Sequence, residues 1–319
     1  MTSVPPTYKA FVYERFGPVV EILTLKEVAT EPLPPSHVRI QVHSAALNPI
    51  DFKVPEIYGT AFSKTSPTAE APFRIGFDAA GVVAQVGDDV KGFSVGDQVY
   101  AMAGKGEFGS LGEFFSVDAQ FVALKPTTLD FDHAAGVPLA SLTSYQALEH
   151  HAKLQAGERV LVLGGSSATG IYAVQHAKAL GAYVIATAGT NNVDKVKSLG
   201  ADEVIDYRTQ KWGDVVEQHS VDVVYDCGVE PLSWEDAAQH VLKQNTGRFV
   251  TLKRGLTPSA AKFGATYSEV FTSPSGKDLA EVTKRFERGE IKLVVDSVFP
   301  LEKTADAFTR LKTGRAVGK

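Results

Sequence analysis

The sequence predicts an α/β protein in which a β-rich domain carries an inserted, doubly wound parallel sheet. Two observations lead to this prediction. Over residues 8–125, short runs of β-branched and aromatic residues alternate with Pro and Gly clusters, as is typical of antiparallel strands and turns. From about Phe131 onward, short apolar runs alternate with segments of helical apolar spacing, as is typical of repeated βα units.

The β-rich part contains clear strand signals and one unpatterned segment. Residues 37–43, 80–86 and 113–117 are rich in β-branched and aromatic side chains, and Pro34-Pro35 marks a corner between strands. Residues 55–72 are polar and rich in turn formers, and they follow neither the apolar period of a strand nor that of a helix. They are therefore expected to form a mobile surface loop.

The α/β part alternates strands and helices. Strands are predicted at residues 158–163, 183–187, 203–205, 221–226 and 248–252, and helices at 168–180, 193–199 and 234–241. After Gly255 the regular alternation of strands and helices ends. The pattern then predicts a helix at 277–287, a strand at 294–299 and a helix at 301–311. Residues 1–128 and 255–319 are thus assigned to the β-rich domain, and residues 129–254 to the inserted domain.

Composition and charge exclude several classes of function. Hydrophobic residues make up 44% and charged residues 22% of the 319 residues, which is usual for a soluble globular protein. A net charge of −5 without basic runs argues against nucleic-acid binding and against a polybasic membrane anchor. The single cysteine, Cys227, excludes an intrachain disulfide and a thiolate zinc cluster. With no targeting segment and no apolar run of ~18 residues, the chain is expected to be cytoplasmic and to have no membrane partner.

A glycine-rich turn follows the first strand of the inserted domain. Gly165, Ser167 and Gly170 occupy the three positions of a G-x-G-x-x-G turn, with serine at the middle one. Such a turn brings its backbone and the next helix N-terminus close to a pyrophosphate. The setting between a strand and a helix favours dinucleotide binding, and a tight βα connection without a ligand is the alternative.

The next strand predicts which dinucleotide binds. An acidic residue at its end would hold the ribose hydroxyls of NAD, but residues 188–192 contain no Asp or Glu. One strand later, Tyr207 and Arg208 offer a phenol and a guanidinium that suit a 2′-phosphate. Lys195 and Lys197 are further candidates, or else ordinary surface residues. NADPH is therefore the predicted cofactor.

Several strings of residues resemble a known family. They include Ala-Leu-Asn-Pro-Ile-Asp-Phe-Lys at residues 46–53, and others at 76–83, 93–100, 111–113, 134–138, 142–145 and 199–207. Over nearly its whole length the chain resembles the zinc-independent, zeta-crystallin-like quinone oxidoreductase branch of the medium-chain dehydrogenase/reductase superfamily. The resemblance implies a GroES-like catalytic domain, an inserted Rossmann domain and a homodimer. Family members usually continue after a Gly-Lys pair like Gly318-Lys319 into one more strand, so a different sheet edge or dimer contact is expected here.

The resemblance also bears on metal binding. Zinc alcohol dehydrogenases of this superfamily hold their catalytic metal with Cys, His and Cys. The matching positions here are Asn48, Phe77 and Leu139, which together cannot bind zinc. The chain also lacks the loop of four closely spaced cysteines that holds a structural zinc in those relatives. No metal is expected.

Without a Lewis acid, the acceptor itself has to delocalise the negative charge that hydride transfer adds. Quinones and α,β-unsaturated carbonyl compounds do so. The resemblance therefore implies an NADPH-dependent quinone reductase. The alternatives are a reductase of enones, alkenals or enoyl thioesters on the same scaffold, and a weakly catalytic NADPH-binding protein such as a sensor.

Four residues are candidates for the chemistry. Asn48 is expected to bond the substrate oxygen or the nicotinamide ribose, or else to cap the turn at Pro49. Asp51 and Lys53 are candidates for a proton relay, with a structural salt bridge as the alternative. Tyr58 is a candidate for closing over a substrate or donating a proton.

The expected cofactor contacts are Asn48 of the β-rich domain and residues along the whole inserted domain. They are Asn48, Thr143, Gly165, Ser166, Ser167, Ala168, Thr169, Gly170, Gly189, Thr190, Asn191, Tyr207, Arg208, Cys227, Gly228 and Leu252. Cys227 as a nucleophile is disfavoured, because it ends a buried strand with no histidine evident beside it.

Overall fold

The computed structural model describes residues 4–106, 109–230 and 232–319. Its strands are β1 (Thr7–Tyr13), β2 (Thr24–Ala29), β3 (His37–Ala46), β4 (Phe73–Arg74), β5 (Asp78–Val86), β6 (Gln98–Met102), β7 (Phe114–Asp118), β8 (Val122–Leu124), β9 (Arg159–Leu163), β10 (Tyr183–Ala188), β11 (Glu203–Asp206), β12 (Val223–Asp226), β13 (Arg248–Thr251) and β14 (Thr266–Glu269).

The α-helices are α1 (Val19–Ile22), α2 (Pro49–Lys53), α3 (Thr60–Ser63), α4 (Phe131–Ala135), α5 (Pro138–Tyr145), α6 (Ala168–Ala179), α7 (Val193–Ser198), α8 (Trp212–Val215), α9 (Gln239–Val241), α10 (Gly276–Glu287) and α11 (Thr304–Lys312). Wider π-helical turns cover Val54–Tyr58, Gln146–His151 and Trp234–Ala238, and 3₁₀ turns cover Ala119–Phe121, Thr190–Asn192 and Leu301–Lys303. Within the described ranges, no helix is long and apolar enough to cross a membrane.

The inserted domain is built on a six-stranded parallel sheet in the order β11-β10-β9-β12-β13-β14. This confirms the predicted Rossmann-type sheet. The direction of winding reverses between β9 and β12, and this reversal opens a crevice at the carboxyl ends of the strands. The sheet continues beyond residue 254, where the sequence predicts the domain to end, because β14 pairs with β13. The residues of β14 are mostly polar and only half-buried, so the strand contains no apolar run by which it could be predicted.

The N-terminal part contains a five-stranded antiparallel sheet in the order β7-β3-β5-β6-β8 and a smaller sheet in the order β2-β1-β4. This confirms the GroES-like domain. Val38, Ile40, Val83, Val99 and Phe115 alternate into its core. The alternation arises because successive strand residues point to opposite faces of a sheet.

Two segments differ from their predicted form. The expected mobile loop at 55–72 begins with helical turns, and Glu56 anchors it by accepting hydrogen bonds from Lys312 Nζ at 2.7 Å and from Val19 N at 2.7 Å. The run at 294–299 is no strand. Its β-branched composition predicts one, but among the described residues only Lys319 forms backbone hydrogen bonds with it, at Val294 and Asp296, and this pairing is too short for a ladder.

One hydrophobic cluster joins the two domains. Tyr100 of β6, Leu142 of α5, Tyr172 of α6 and Phe286 of α10 are all buried in it. Because the cluster contains side chains from both domains, it packs the two domains against each other beside the crevice.

Candidate active-site cleft

A cleft of about 1350 Å³ lies between the two domains. The β-rich domain contributes residues 42–49 and 110–113, and the inserted domain contributes the glycine turn and the carboxyl ends of β10 and β11. The C-terminal segment closes the cleft with residues 295–301 and 314–319. Of the predicted site residues, those that line it are Asn48, Ser166, Ser167, Ala168, Gly189, Asn191, Tyr207 and Arg208.

The glycine turn has the tight geometry that a dinucleotide site needs. At Gly170 a Cβ atom would lie 2.1 Å from the Gly164 carbonyl oxygen, so only glycine fits there. Ser167 ends the turn as the N-cap of α6, and its Oγ accepts a hydrogen bond from Gly170 N at 3.0 Å. The turn therefore presents the N-terminus of a twelve-residue helix to the cleft, which suits a pyrophosphate.

Tyr207 and Arg208 surround the backbone of Gly189 at the far end of the cleft. A Cβ atom on Gly189 would lie 3.0 Å from Tyr207 Oη and 3.2 Å from Arg208 Nε. Both side chains are exposed, and the guanidinium lies 5.9 Å from the phenol ring centroid. The sequence analysis overlooked Asp206 here. Hydrogen bonds from the Thr190 side chain and from Arg208 N lower the pKa of Asp206, so this carboxylate is ionised beside the pocket.

Asp226 is a second acidic residue that the sequence analysis missed. It ends β12, and its Oδ1 accepts hydrogen bonds from the backbone N–H groups of Gly228 and Val229, both at 3.0 Å. Its Oδ2 accepts a hydrogen bond from Thr251 Oγ1 at 2.9 Å. Asp226 thereby fixes the loop beside the glycine turn. An acidic residue at the end of an apolar strand is the signal that was available for it.

The other predicted cofactor residues do not line the cleft. In the part of the chain that the structure describes, the predicted contacts that do not line the cleft are Thr143, Gly165, Thr169, Gly170, Thr190, Cys227, Gly228 and Leu252. Thr143 is buried, and its hydroxyl forms hydrogen bonds with Leu139 O and Thr272 Oγ1, both at 2.6 Å. Burial raises the pKa of Cys227 to about 12, so its thiol is protonated at neutral pH and is a poor nucleophile.

Asn48 lies at the centre of a buried polar cluster in the wall opposite the glycine turn. Its Nδ2 donates to Asp78 Oδ2 at 2.8 Å, its Oδ1 accepts from Lys319 Nζ, and its backbone N–H donates to Asp51 Oδ2 at 2.6 Å. Asn48 is also the N-cap of α2. The capping alternative is therefore observed, and Asn48 also lines the cleft, while its bond to a substrate oxygen or the nicotinamide ribose stays a prediction.

Charges in this cluster are shifted by burial. Burial raises the pKa of Asp78 to about 6, while Lys319 opposes the shift through its charge. Burial also raises the pKa of Asp51 and lowers the pKa of Lys319. Lys319 is a residue of the cleft wall that the sequence analysis missed, and the Gly-Lys pair that it forms with Gly318 was the available signal.

The remaining catalytic candidates lie away from the cleft surface in this conformation. Asp51 is buried beneath Asn48, and Tyr58 is 38% exposed on the π-helical turn. Neither of them lines the cleft, nor does Lys53. Their catalytic roles stay predictions.

The positions that match zinc ligands in relatives carry no metal-binding side chain here. Phe77 is buried in the β-rich core, and Leu139 packs at its edge. Within residues 4–106, 109–230 and 232–319, no group of three or more His, Cys, Asp or Glu side chains is placed to hold a metal ion. Zinc independence stays a prediction.

Comparisons with known proteins agree with the two-domain architecture. Residues 34–127 match the alcohol dehydrogenase GroES-like domain, and residues 199–319 match a family described as zinc-binding dehydrogenase. The chain is 38% identical to a 2-methylene-furan-3-one reductase of Solanum lycopersicum, over 99% of this chain and 79% of that protein. It is 36% identical to an Arabidopsis thaliana protein named NADPH-dependent alkenal/one oxidoreductase, chloroplastic, over 99% of this chain and 80% of that protein.

A solved structure shows the same fold. The quinone oxidoreductase from Coxiella burnetii superposes on this chain with a TM-score of 0.83 at 26% sequence identity. The match covers 98% of this chain and 98% of that chain. Fold, glycine turn and cleft together define an NAD(P)H-dependent oxidoreductase. The chain belongs to the medium-chain dehydrogenase/reductase superfamily, in its zeta-crystallin-like quinone oxidoreductase branch. The cytoplasmic location and the homodimer stay predictions.

Proposed function

We propose that the protein uses NADPH to reduce the conjugated carbon–carbon double bond of enones and alkenals. One observation carries the proposal: the same cleft joins a dinucleotide turn to a buried pair of hydrogen-bonding side chains, Asn48 and Lys319. The names of the tomato and Arabidopsis relatives, at 38% and 36% identity, support acceptors of this class. Quinone reduction, which the sequence resemblance implies, is the second candidate, and the name of the Coxiella structure favours it.

The glycine turn fits a nicotinamide dinucleotide because it is tight. At Gly170 the position of a Cβ atom is filled by backbone, so the turn can bring its N–H groups close to a pyrophosphate. When bound, that cofactor supplies a hydride. The backbone N–H groups at the start of α6 bind the pyrophosphate, and Arg208 and Tyr207 bind the 2′-phosphate. Lys53 and Tyr58 are proposed as donors of the proton that completes the reduction, and this role requires the segment 49–63 to move toward the cleft.

The opposite wall suits an uncharged acceptor. Ala45, Leu47, Leu111 and Phe299 give it an apolar surface, and Asn48 and Lys319 are the polar groups beside them. A mostly apolar pocket with a few fixed polar groups orients a small carbonyl compound by its oxygen. The apolar surface also excludes water from the reacting carbons.

The acceptor class is tested by following loss of absorbance of NADPH, and separately of NADH, with a panel of enones, alkenals and quinones. We expect turnover of enones and alkenals with NADPH well above NADH. Turnover of quinones alone would replace the first candidate by the second. Tight binding of NADPH without turnover of any acceptor would contradict both and indicate a sensor.

The cofactor preference is tested by Arg208→Ala and Tyr207→Phe. Each loses one hydrogen bond to a charged phosphate, a bond of about 1.5–3 kcal/mol, so NADPH binding is expected to weaken by about 10–100-fold. NADH binding should stay nearly unchanged, because NADH has no 2′-phosphate. Fluorescence titration measures both dissociation constants, with the exposed Lys211→Ala as a control cation in the same loop. If the variants lost NADPH and NADH affinity equally, Arg208 and Tyr207 would not be the residues that bind the 2′-phosphate.

A further inference from the structure

Lys319 is held firmly in the cleft wall. Its backbone N–H donates to Val294 O at 2.9 Å. At the preceding Gly318 the backbone φ is +88°, and a Cβ atom there would lie 2.1 Å from Val294 O. Glycine therefore lets the chain approach the 294–296 segment and aims the Lys319 side chain inward, where it is only 4% exposed.

One N–H group of the Lys319 ammonium has a close acceptor, and its other two contacts are long. Its bond to Asn48 Oδ1 is short, but Leu47 O lies at 3.4 Å and Asp78 Oδ2 at 3.6 Å, beyond the usual length of a strong hydrogen bond. An ammonium offers three N–H groups. Since Lys319 and its partner Asn48 both line the cleft, donor capacity remains available to a bound molecule.

Other cations of the described cleft wall are less suited to stabilise negative charge on a bound molecule. Arg310 is engaged with Asp296 through two bonds of 2.9 and 2.7 Å. Arg208 and Arg315 are exposed, so water screens their charge. Lys319 is buried, so water screens its charge less than that of a surface cation, and its attraction for a developing anion is stronger even though Asp78 at 3.6 Å offsets part of that charge.

We propose that Lys319 is a catalytic residue that donates a hydrogen bond from Nζ to the carbonyl oxygen of the acceptor. This inference rests on the proposed function. In the reduction, the β-carbon gains a hydride from the reduced cofactor, which loses two electrons and becomes oxidised. The electron pair of the carbon–carbon double bond then forms a new double bond to the carbonyl carbon, and the carbonyl pair moves onto oxygen as an enolate.

Lys319 keeps its proton throughout this step and stabilises the enolate oxygen. A proton from one of the proposed donors, Lys53 or Tyr58, is then delivered to the α-carbon and restores the carbonyl group, and solvent returns the proton to the donor. The hydrogen bond strengthens as charge develops, so it accelerates the chemical step more than it strengthens substrate binding. A quinone acceptor would place the same negative charge on its oxygen, and the same residue would serve it.

The test separates this role from mere neutralisation of Asp78. Lys319→Met alone leaves a buried carboxylate without its cation and is expected to impair folding. The double variant Lys319→Met/Asp78→Asn removes both charges. We expect it to fold and to bind NADPH within about twofold of the wild type, because neither residue lies at the pyrophosphate or adenosine end of the cleft. Its kcat should fall by about 100-fold with little change in KM. Full activity in the double variant would overturn the proposal.

A binding measurement gives a readout that does not depend on turnover. The anion of 4-nitrophenol mimics an enolate oxygen, and its absorbance reports binding. The double variant is expected to bind it about 10–100-fold more weakly than the wild type, while binding of uncharged 4-nitroanisole stays unchanged. Lys319→Arg should recover part of the affinity, and the exposed Lys292→Met is the control.

Failure of the inference and failure of the proposed function give different results. If the wild type reduces no enone and no quinone but binds the phenolate through Lys319, the proposed function is wrong and the anion site stands. If the wild type reduces enones and the double variant binds the phenolate as tightly as the wild type, Lys319 is not the donor.

Discussion

Replacing Gly170 with alanine is expected to weaken NADPH binding by about 100-fold, because one or two charge-assisted hydrogen bonds to the pyrophosphate are lost. The new Cβ atom would lie 2.1 Å from Gly164 O and 2.8 Å from the Gly165 Cα, so the turn has to open. Opening moves the N-terminus of α6 away from the phosphates. Overpacking also lowers the free energy of unfolding by about 1–3 kcal/mol. Fluorescence titration of NADPH and thermal unfolding measure the two effects.

Gly157→Ala is the matched control. Gly157 has a backbone φ of +81° and open space around its Cβ position. Alanine is strained there, at a cost of about 1–2 kcal/mol in the free energy of unfolding, but it touches nothing near the cofactor. We expect Gly157→Ala to lower stability and to leave the NADPH dissociation constant unchanged. Unchanged NADPH binding by Gly170→Ala would show that the turn is only a connection between a strand and a helix.

Replacing Arg285 with alanine is expected to lower the free energy of unfolding by about 3–5 kcal/mol. The guanidinium of this α10 residue forms a hydrogen bond with His176 Nδ1 of α6 at 2.7 Å and an ion pair with Glu149 Oε1 at 2.6 Å. His176 in turn bonds Ser141 of α5 at 2.9 Å. Burial, with the Arg285 charge, lowers the pKa of His176 well below its usual range, so the ring is neutral. The variant leaves Glu149 and His176 without their partner inside the junction between the domains.

Arg288→Ala provides the comparison for this loss. Arg288 follows α10 and pairs with Glu290 at the surface, where its side chain is 55% exposed. Exposed pairs contribute about 0–1 kcal/mol, so chemical denaturation should barely distinguish this variant from the wild type. Similar losses for Arg285→Ala and Arg288→Ala would contradict the assignment of Arg285 to a buried network.

The fold could be predicted from the sequence because the patterns that indicate its strands and helices are local. Strands of the parallel sheet are apolar on both faces, and helix α6 begins at a serine cap after a glycine turn, so short windows of sequence reveal both. The same locality explains the errors. β14 is half-buried and polar, and in the part of the chain that the structure describes only Lys319 forms backbone hydrogen bonds with the β-branched run at 294–299.

The sequence by itself determined five of the six strands of the parallel sheet, the glycine turn and the Tyr207 and Arg208 pair, because each follows from residues adjacent in the chain. Only the tertiary structure decided that Lys319 lies against Asn48, which is 271 residues away. Their contact depends on how α11 and the following segment pack across the β-rich domain. Such packing is set by the combined burial of many side chains, and no local pattern of residues records which distant side chains it brings together.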